Sequence, residues 1–114
     1  MSECLFCKIV AGEISADIVH QTDTTVAFRD INPQAPTHIL ISPRQHIATI
    51  NDISDGQQAL VGSLYASARD IAKQEGLADD GYRVVMNCGE GAGQSVFHIH
   101  LHLLGGRPFS WPPG

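Results

Sequence analysis

Phe97-His98-Ile99-His100-Leu101-His102-Leu103-Leu104 is the stretch on which the reading of this chain turns. It holds three of the chain's six histidines, and apolar residues alternate with them without a break. Strict alternation marks a half-buried β-strand, because side chains at i, i+2 and i+4 share one face. A strand over Val96 to Leu104 turns Phe97, Ile99, Leu101 and Leu103 toward a core and sets His98, His100 and His102 along the other face. A rise of about 3.3 Å per residue puts the outer two histidines roughly 13 Å apart, too far for all three rings to meet one atom. Such a row suits an extended ligand, with each ring given its own task. A water-exposed polar face is the bland alternative. A catalytic metal held by a His-x-His pair is another, and it needs a third ligand and a bound water.

Directly before this strand, Cys88-Gly89-Glu90-Gly91-Ala92-Gly93-Gln94-Ser95 is too rich in glycine for helix or strand and reads as a loop. Tyr82 to Met86 reads as a strand. Further back, Ser54-Asp55-Gly56-Gln57 has the spacing of a capping box. Leu60, Val61, Leu64, Ala68, Ile71 and Ala72 then form one apolar helical stripe, with Gly76 placed to end it. Toward the N-terminus, His38 to Ser42 is a strand closed by Pro43, and Asn32-Pro33-Gln34-Ala35-Pro36 forces a loop. Ile18 to His20 and Thr25 to Phe28 flank the polar Gln21-Thr22-Asp23-Thr24, a hairpin signal. Cys4 to Ala11 carries Leu5, Phe6, Ile9 and Val10 at helical spacing before Gly12. The tail from Gly105 to Gly114 holds three prolines and the single tryptophan, and reads as irregular. Strand neighbours are joined mostly by short links, so the expected class is α+β: a five-stranded, mostly antiparallel sheet carrying two helices. With 114 residues the expectation is a single domain over 1–114.

Hydrophobic residues at 43% and charged residues at 17% give a globular composition. A net charge of -5 and the lack of any Lys/Arg cluster argue against a nucleic-acid or anionic-membrane surface. A small phosphorylated ligand stays open, because amides and histidines cradle phosphate inside an acidic protein. No apolar run nears the ~20 residues that cross a bilayer, and Met1-Ser2-Glu3-Cys4 has none of the marks of a signal peptide. Three cysteines fit reduced thiols or metal ligands better than a disulfide framework. The expectation is a cytoplasmic protein that meets neither membrane nor nucleic acid. Cys4-x-x-Cys7 alone is compatible with buried thiols or a redox pair, although a redox pair lacks its strand-turn-helix setting here.

The run from His98 to Leu104 resembles the His-φ-His-φ-His-φ-φ signature of the histidine triad family, φ being apolar. Phe28-Arg29-Asp30-Ile31-Asn32-Pro33-Gln34-Ala35-Pro36-Thr37-His38, Asn87, Gly93-Gln94-Ser95 and Trp111-Pro112-Pro113-Gly114 are similar to its Hint branch. The likeness runs over nearly the whole chain. It implies the histidine triad fold, a homodimer, and hydrolysis of purine nucleoside monophosphates bearing an amine or other leaving group on the α-phosphorus. It implies attack by His100 on phosphorus and a nucleotidyl-histidine intermediate, with the other ring nitrogen held by a backbone carbonyl. His102 would contact phosphate oxygens and Ser95 the leaving atom, catalytic roles like that of His100. Asn87 and the amides around Gly93 and Gln94 would cradle the phosphate, and Asp30 would take the ribose hydroxyls. Phe6, Ile9, Ile14, Phe28 and Ile31 would form the slot for the base; ordinary core is the alternative for each. The same resemblance makes Cys4, Cys7, His46 and His98 a structural zinc site, closed to water and not required for catalysis. Arg29 stands where relatives often have histidine, and the residues before Trp111 depart from many relatives, so base and leaving-group preference stay open. Dinucleoside polyphosphate hydrolysis, or nucleotide and partner binding with incidental hydrolysis, are the rival functions.

Overall fold

The computed structural model describes residues 3–114. In chain order it has α1 (Leu5–Val10), β1 (Ile18–Gln21), β2 (Thr25–Arg29), β3 (Thr37–Pro43), α2 (Gln58–Gln74), β4 (Tyr82–Val85) and β5 (Leu101–Gly105). The sheet order is β1-β2-β3-β5-β4 and every neighbouring pair is antiparallel. This is the α+β arrangement that the order of elements predicts. The last strand to form in sequence therefore lies inside the sheet, hydrogen-bonded on both sides.

Both helices stop for the same local reason. Gly12 and Gly76 take φ values of 77° and 76°, where a side chain would be strained. At each, the next residue's N–H reaches back to an open carbonyl of the last turn: Glu13 to Lys8 at 2.8 Å and Leu77 to Ala72 at 2.8 Å. These are Schellman ends. At the other end of α2, Ser54 and Gln57 form the predicted capping box, which leads through a 3₁₀ turn at Asp55–Gln57 into the helix.

The period of two in the strands sorts the core into two layers. Ala27, Ile39, Ile41, Leu101 and Leu103 face α2 and bury Leu64, Ala68 and Ile71. Val26, Phe28 and Leu40 face the other way, against Phe6 and Ile9 of α1. Leu40 is the direct partner of both Phe28 and His102, so His102 belongs to the α1 face.

The strand predicted from Val96 is shorter than expected: β5 begins at Leu101. Ahead of it the backbone leaves the ladder, and the Ile99 N–H donates to the Ile47 carbonyl at 2.8 Å in the segment after β3. The inward residues still alternate, with Ile99, Leu101 and Leu103 all buried, but Phe97 lies outside the core and is 45% exposed. The histidine side is no wet surface either, since His98 is fully buried. No helix among the described residues is long and apolar enough to cross a membrane.

Candidate active site

A chain of hydrogen bonds sets the protonation of His102. The Gln34 N–H donates to His38 Nδ1 at 3.0 Å, so the proton of a neutral His38 ring is on Nε2. That nitrogen lies 2.9 Å from His102 Nδ1 and 3.5 Å from an Asp30 oxygen. It therefore donates mainly to His102. His102 Nδ1 then accepts, which leaves its own proton on Nε2. Burial lowers the His102 pKa to about 4, with neighbouring His100 and His38 pushing the same way and Asp30 opposing. Burial also lowers that of His38. Asp30, His38 and His102 are near enough in space to suggest metal ligands. The Gln34 N–H argues otherwise, because a metal on His38 Nε2 would force a proton onto Nδ1, against that donor.

His100 is held in the opposite tautomer. Its Nδ1 lies 2.8 Å from the His98 carbonyl, which only accepts, so Nδ1 carries the proton and Nε2 keeps its lone pair. His100 is 8% exposed, and burial lowers its pKa. Its ring touches the edge of Phe6 at a centroid distance of 4.9 Å and lies 4.9 Å from His102. The pair thus offers one base and one N–H donor side by side. Both border a cavity of about 650 Å³ that also meets Phe6, Ile9, Phe28, Asp30 and Ser95.

The walls of this cavity largely match the predicted slot. Phe6, Ile9 and Phe28 are buried in it, with Phe6 and Phe28 edge to face at 5.2 Å. Ile31 is different: it is fully solvent-exposed at the mouth, carried outward by the loop after β2. Ile14 is also at the rim. Asp30 holds its carboxylate still by accepting the Asn32 N–H at 2.8 Å. Arg29 borders the cavity, but both Glu75 oxygens take its guanidinium at 3.0 Å.

The glycine loop is bonded within itself. The Gly93 N–H donates to the Glu90 carbonyl and the Gln94 N–H to the Gly89 carbonyl, each at 3.0 Å. The Gln94 side chain is a brace: 3% exposed, it accepts the Gly89 N–H at 2.8 Å and donates to the Ala48 and Val96 carbonyls. Ser95, next in sequence, is exposed at the cavity wall. Asn87 is half-buried, its Nδ2 packed toward Gly93.

Cys4, Cys7, His46 and His98 bring their ligand atoms together at the N-terminus of α1. His98 Nδ1 is 3.4 Å from Cys4 Sγ, 3.5 Å from Cys7 Sγ and 3.3 Å from His46 Nδ1; Cys7 Sγ is 3.3 Å from His46 Nδ1. A tetrahedral zinc with Zn–S of about 2.3 Å and Zn–N of about 2.05 Å has S–N edges of about 3.5 Å and N–N edges of about 3.3 Å. The donor set fits. The tautomer fits as well, because His98 Nε2–H donates to the Pro43 carbonyl at 2.7 Å and leaves Nδ1 aimed at the cluster.

His38 is the residue that reading the sequence missed as part of the site. Its signal was its place in β3, where its partner Leu104 puts it one side-chain step from His102 on the same face.

The chain is similar to known proteins in sequence and in fold. The family model described as "HIT domain" matches residues 11–109. The chain is 55% identical over 106 residues to the purine nucleoside phosphoramidase of Escherichia coli K12, covering 93% of this chain and 89% of that protein. It is 52% identical over 115 residues to an uncharacterized HIT-like protein of Synechococcus elongatus, across the full length of both. The crystal structure of a HIT family hydrolase from Legionella pneumophila superposes with a TM-score of 0.96 at 55% identity, covering 98% of this chain and 100% of that one.

Proposed function

The chain belongs to the HIT domain family, and from that premise we propose that it hydrolyses purine nucleoside 5′-monophosphates whose α-phosphorus carries an amine. The observation that carries this reading is the 2.8 Å bond from His100 Nδ1 to the His98 carbonyl, which leaves a neutral, buried Nε2 lone pair at the cavity wall. Neutral imidazole is a good nucleophile near pH 7 and a good leaving group afterwards. In the first step His100 Nε2 bonds to phosphorus while the P–N bond breaks, and the departing amine takes up a solvent proton passed through the Ser95 hydroxyl at the cavity wall. In the second step a water oxygen bonds to phosphorus, one water proton returns to solvent and the P–Nε2 bond breaks, releasing the nucleoside monophosphate. His102 donates its Nε2–H to a phosphate oxygen throughout, and that fixed donor stabilises charge where it develops. Asp30 accepts from the ribose hydroxyls, Phe6, Ile9 and Phe28 enclose the base, and Asn87 reaches the phosphate from the loop side. The E. coli relative's name supports the substrate class.

The same proposal includes a structural zinc held by Cys4, Cys7, His46 and His98, supported by the tetrahedral spacing of their donors. Bound there, the ion ties α1 to the sheet and takes no part in the reaction, since four protein ligands leave it no open position. The cytoplasm, a reducing compartment, suits thiolates that must stay reduced to hold it. A homodimer completes the reading as one domain acting in pairs: β4 is an edge strand of the sheet, and Tyr82 on it and Trp111 in the tail are exposed. Sedimentation at micromolar concentration checks that assembly.

The test is hydrolysis of adenosine 5′-monophosphoramidate beside diadenosine tetraphosphate, by wild type and His100→Ala, with and without chelator. Release of AMP from the phosphoramidate, lost in the variant and, at saturating substrate, indifferent to chelator, supports the reading. Faster cleavage of the dinucleotide moves the assignment to polyphosphate hydrolysis. No turnover of either by folded protein leaves a binding role.

A further inference from the structure

The metal cluster and the nucleotide cavity share two parts of the chain. The first is His98. Its ring turns Nδ1 to Cys4, Cys7 and His46, while its main-chain carbonyl accepts the Nδ1–H of His100 at 2.8 Å. The residue is fully buried and its Nε2–H is anchored on the Pro43 carbonyl at 2.7 Å. Ring and carbonyl therefore shift together. The second part is α1. Cys4 is its N-cap, with Sγ accepting the Cys7 N–H at 3.4 Å, so both thiol ligands belong to this one short helix.

Phe6, between the two cysteines, faces the other site. Its ring lies 4.9 Å from the His100 ring, 5.9 Å from His98 and 5.2 Å from Phe28, edge-on in each case. Phe6, Ile9 and Leu5 of the same helix border the cavity. α1 has six residues, far fewer than the ~12–15 at which an isolated helix becomes marginally stable. Its position is therefore set by the packing of Phe6 and Ile9 on the sheet and by what its N-terminal end is fastened to.

We propose that a metal in the Cys4–Cys7–His46–His98 site sets the positions of Phe6 and of the His98 carbonyl, and so raises the affinity of the cavity for a nucleoside monophosphate. His98 is the positioning residue that joins the two sites. The inference rests on the structural-metal reading above and extends it, because a metal that only stabilised the fold would leave nucleotide affinity alone. Linkage makes the effect reciprocal: bound nucleotide tightens the metal by the same factor. Couplings of this kind typically amount to 5–150-fold, and the two short connections here suggest about tenfold.

The experiment uses the full chain in zinc-loaded and metal-free forms. AMP affinity is measured by calorimetry in both, and zinc affinity by competition with a chromophoric chelator, with and without saturating AMP. The expected result is about tenfold tighter AMP binding with zinc, and zinc binding tightened by the same factor with AMP. The cobalt(II) form guards against loss of fold in the metal-free protein. Its visible bands report the ligand field at His98, and AMP should shift them with a midpoint at the calorimetric dissociation constant. Equal AMP affinity with and without metal, or cobalt bands that AMP leaves unmoved, overturns the coupling while the metal reading stands. A chain that takes up neither ion overturns both. Zinc-loaded protein that does not bind AMP overturns the coupling together with the nucleotide assignment.

Discussion

Replacing His38 with phenylalanine removes the donor on which the His102 tautomer depends. His38 is 6% exposed, so a ring of similar size fills its place. What disappears is a pair of hydrogen bonds: Gln34 N–H to Nδ1 at 3.0 Å, and Nε2–H to His102 at 2.9 Å. His102 Nδ1 is then left without its donor. Leaving a buried polar group unpaired costs about 1–3 kcal/mol, and His102 escapes that cost by moving its proton to Nδ1, where the neighbouring Asp30 carboxylate can accept it. Its Nε2 then faces the phosphate as an acceptor and repels the oxygens it should hold. At about 1.4 kcal/mol per tenfold in rate, the loss in kcat/KM is roughly 5- to 150-fold. The assay is initial-rate hydrolysis of adenosine 5′-monophosphoramidate, with thermal unfolding recorded on the same samples. His38→Gln supplies an amide N–H near the position of Nε2 and should recover most of the rate. A phenylalanine variant within twofold of wild type, or a glutamine variant no better than it, would refute the tautomer chain.

Other consequences follow from the same contacts. Burial lowers the pKa of His38 and His100, and that of His102 to about 4, so the neutral rings persist below the ordinary value of 6.5. The acid limb of kcat/KM should then fall below pH 6.5, and a limb at or above that value contradicts the assignment. Between pH 6.5 and about 4 the unfolded chain binds more protons than the folded one, so stability should decline as pH drops through that window, read from denaturant melts. Asp30→Asn weakens a charged acceptor worth about 1.5–3 kcal/mol, so discrimination between ribose and 2′-deoxyribose phosphoramidates should fall about 10- to 150-fold. An equal loss on both sugars would argue against the ribose role. Gln94→Leu strands the Gly89 N–H and the Ala48 carbonyl, at about 1–3 kcal/mol of stability. Amide exchange in residues 89–95 should quicken, and unchanged exchange would show that Gln94 is not the brace of that loop.

The parts of the fold legible in sequence are those where local chemistry and burial agree. The stripe of Leu64, Ala68 and Ile71 is the buried face of α2, and Gly12 and Gly76 end their helices by the left-handed turn that glycine alone takes freely. Alternation overstates the length of the histidine strand because it records which side chains are buried, whereas a strand ends where its ladder of hydrogen bonds ends. Ile99 keeps its inward place although its N–H has already turned to Ile47. His38 escaped notice as a site residue because its partner is 64 positions away and meets it only through the register of β3 with β5. The resemblance gives the amides around Gly93 and Gln94 to phosphate, and composition does not reveal that the N–H groups of these two residues bond within the loop. The four metal-type ligands come from three separate segments, α1, the turn after β3 and the approach to β5. Only the two cysteines are neighbours in sequence, and the rest of the set needed the family resemblance to be seen.

The central claim is that His100 bonds to phosphorus through Nε2. Rapid quenching of a single turnover of adenosine 5′-monophosphoramidate, followed by mass spectrometry of the peptide spanning residues 97–104, tests it most directly. The account predicts an adenylyl adduct on His100 that forms and decays at rates consistent with AMP release, and that is missing from His100→Ala. Wild-type turnover with no adduct at any time, or an adduct on His102 in place of His100, would contradict it.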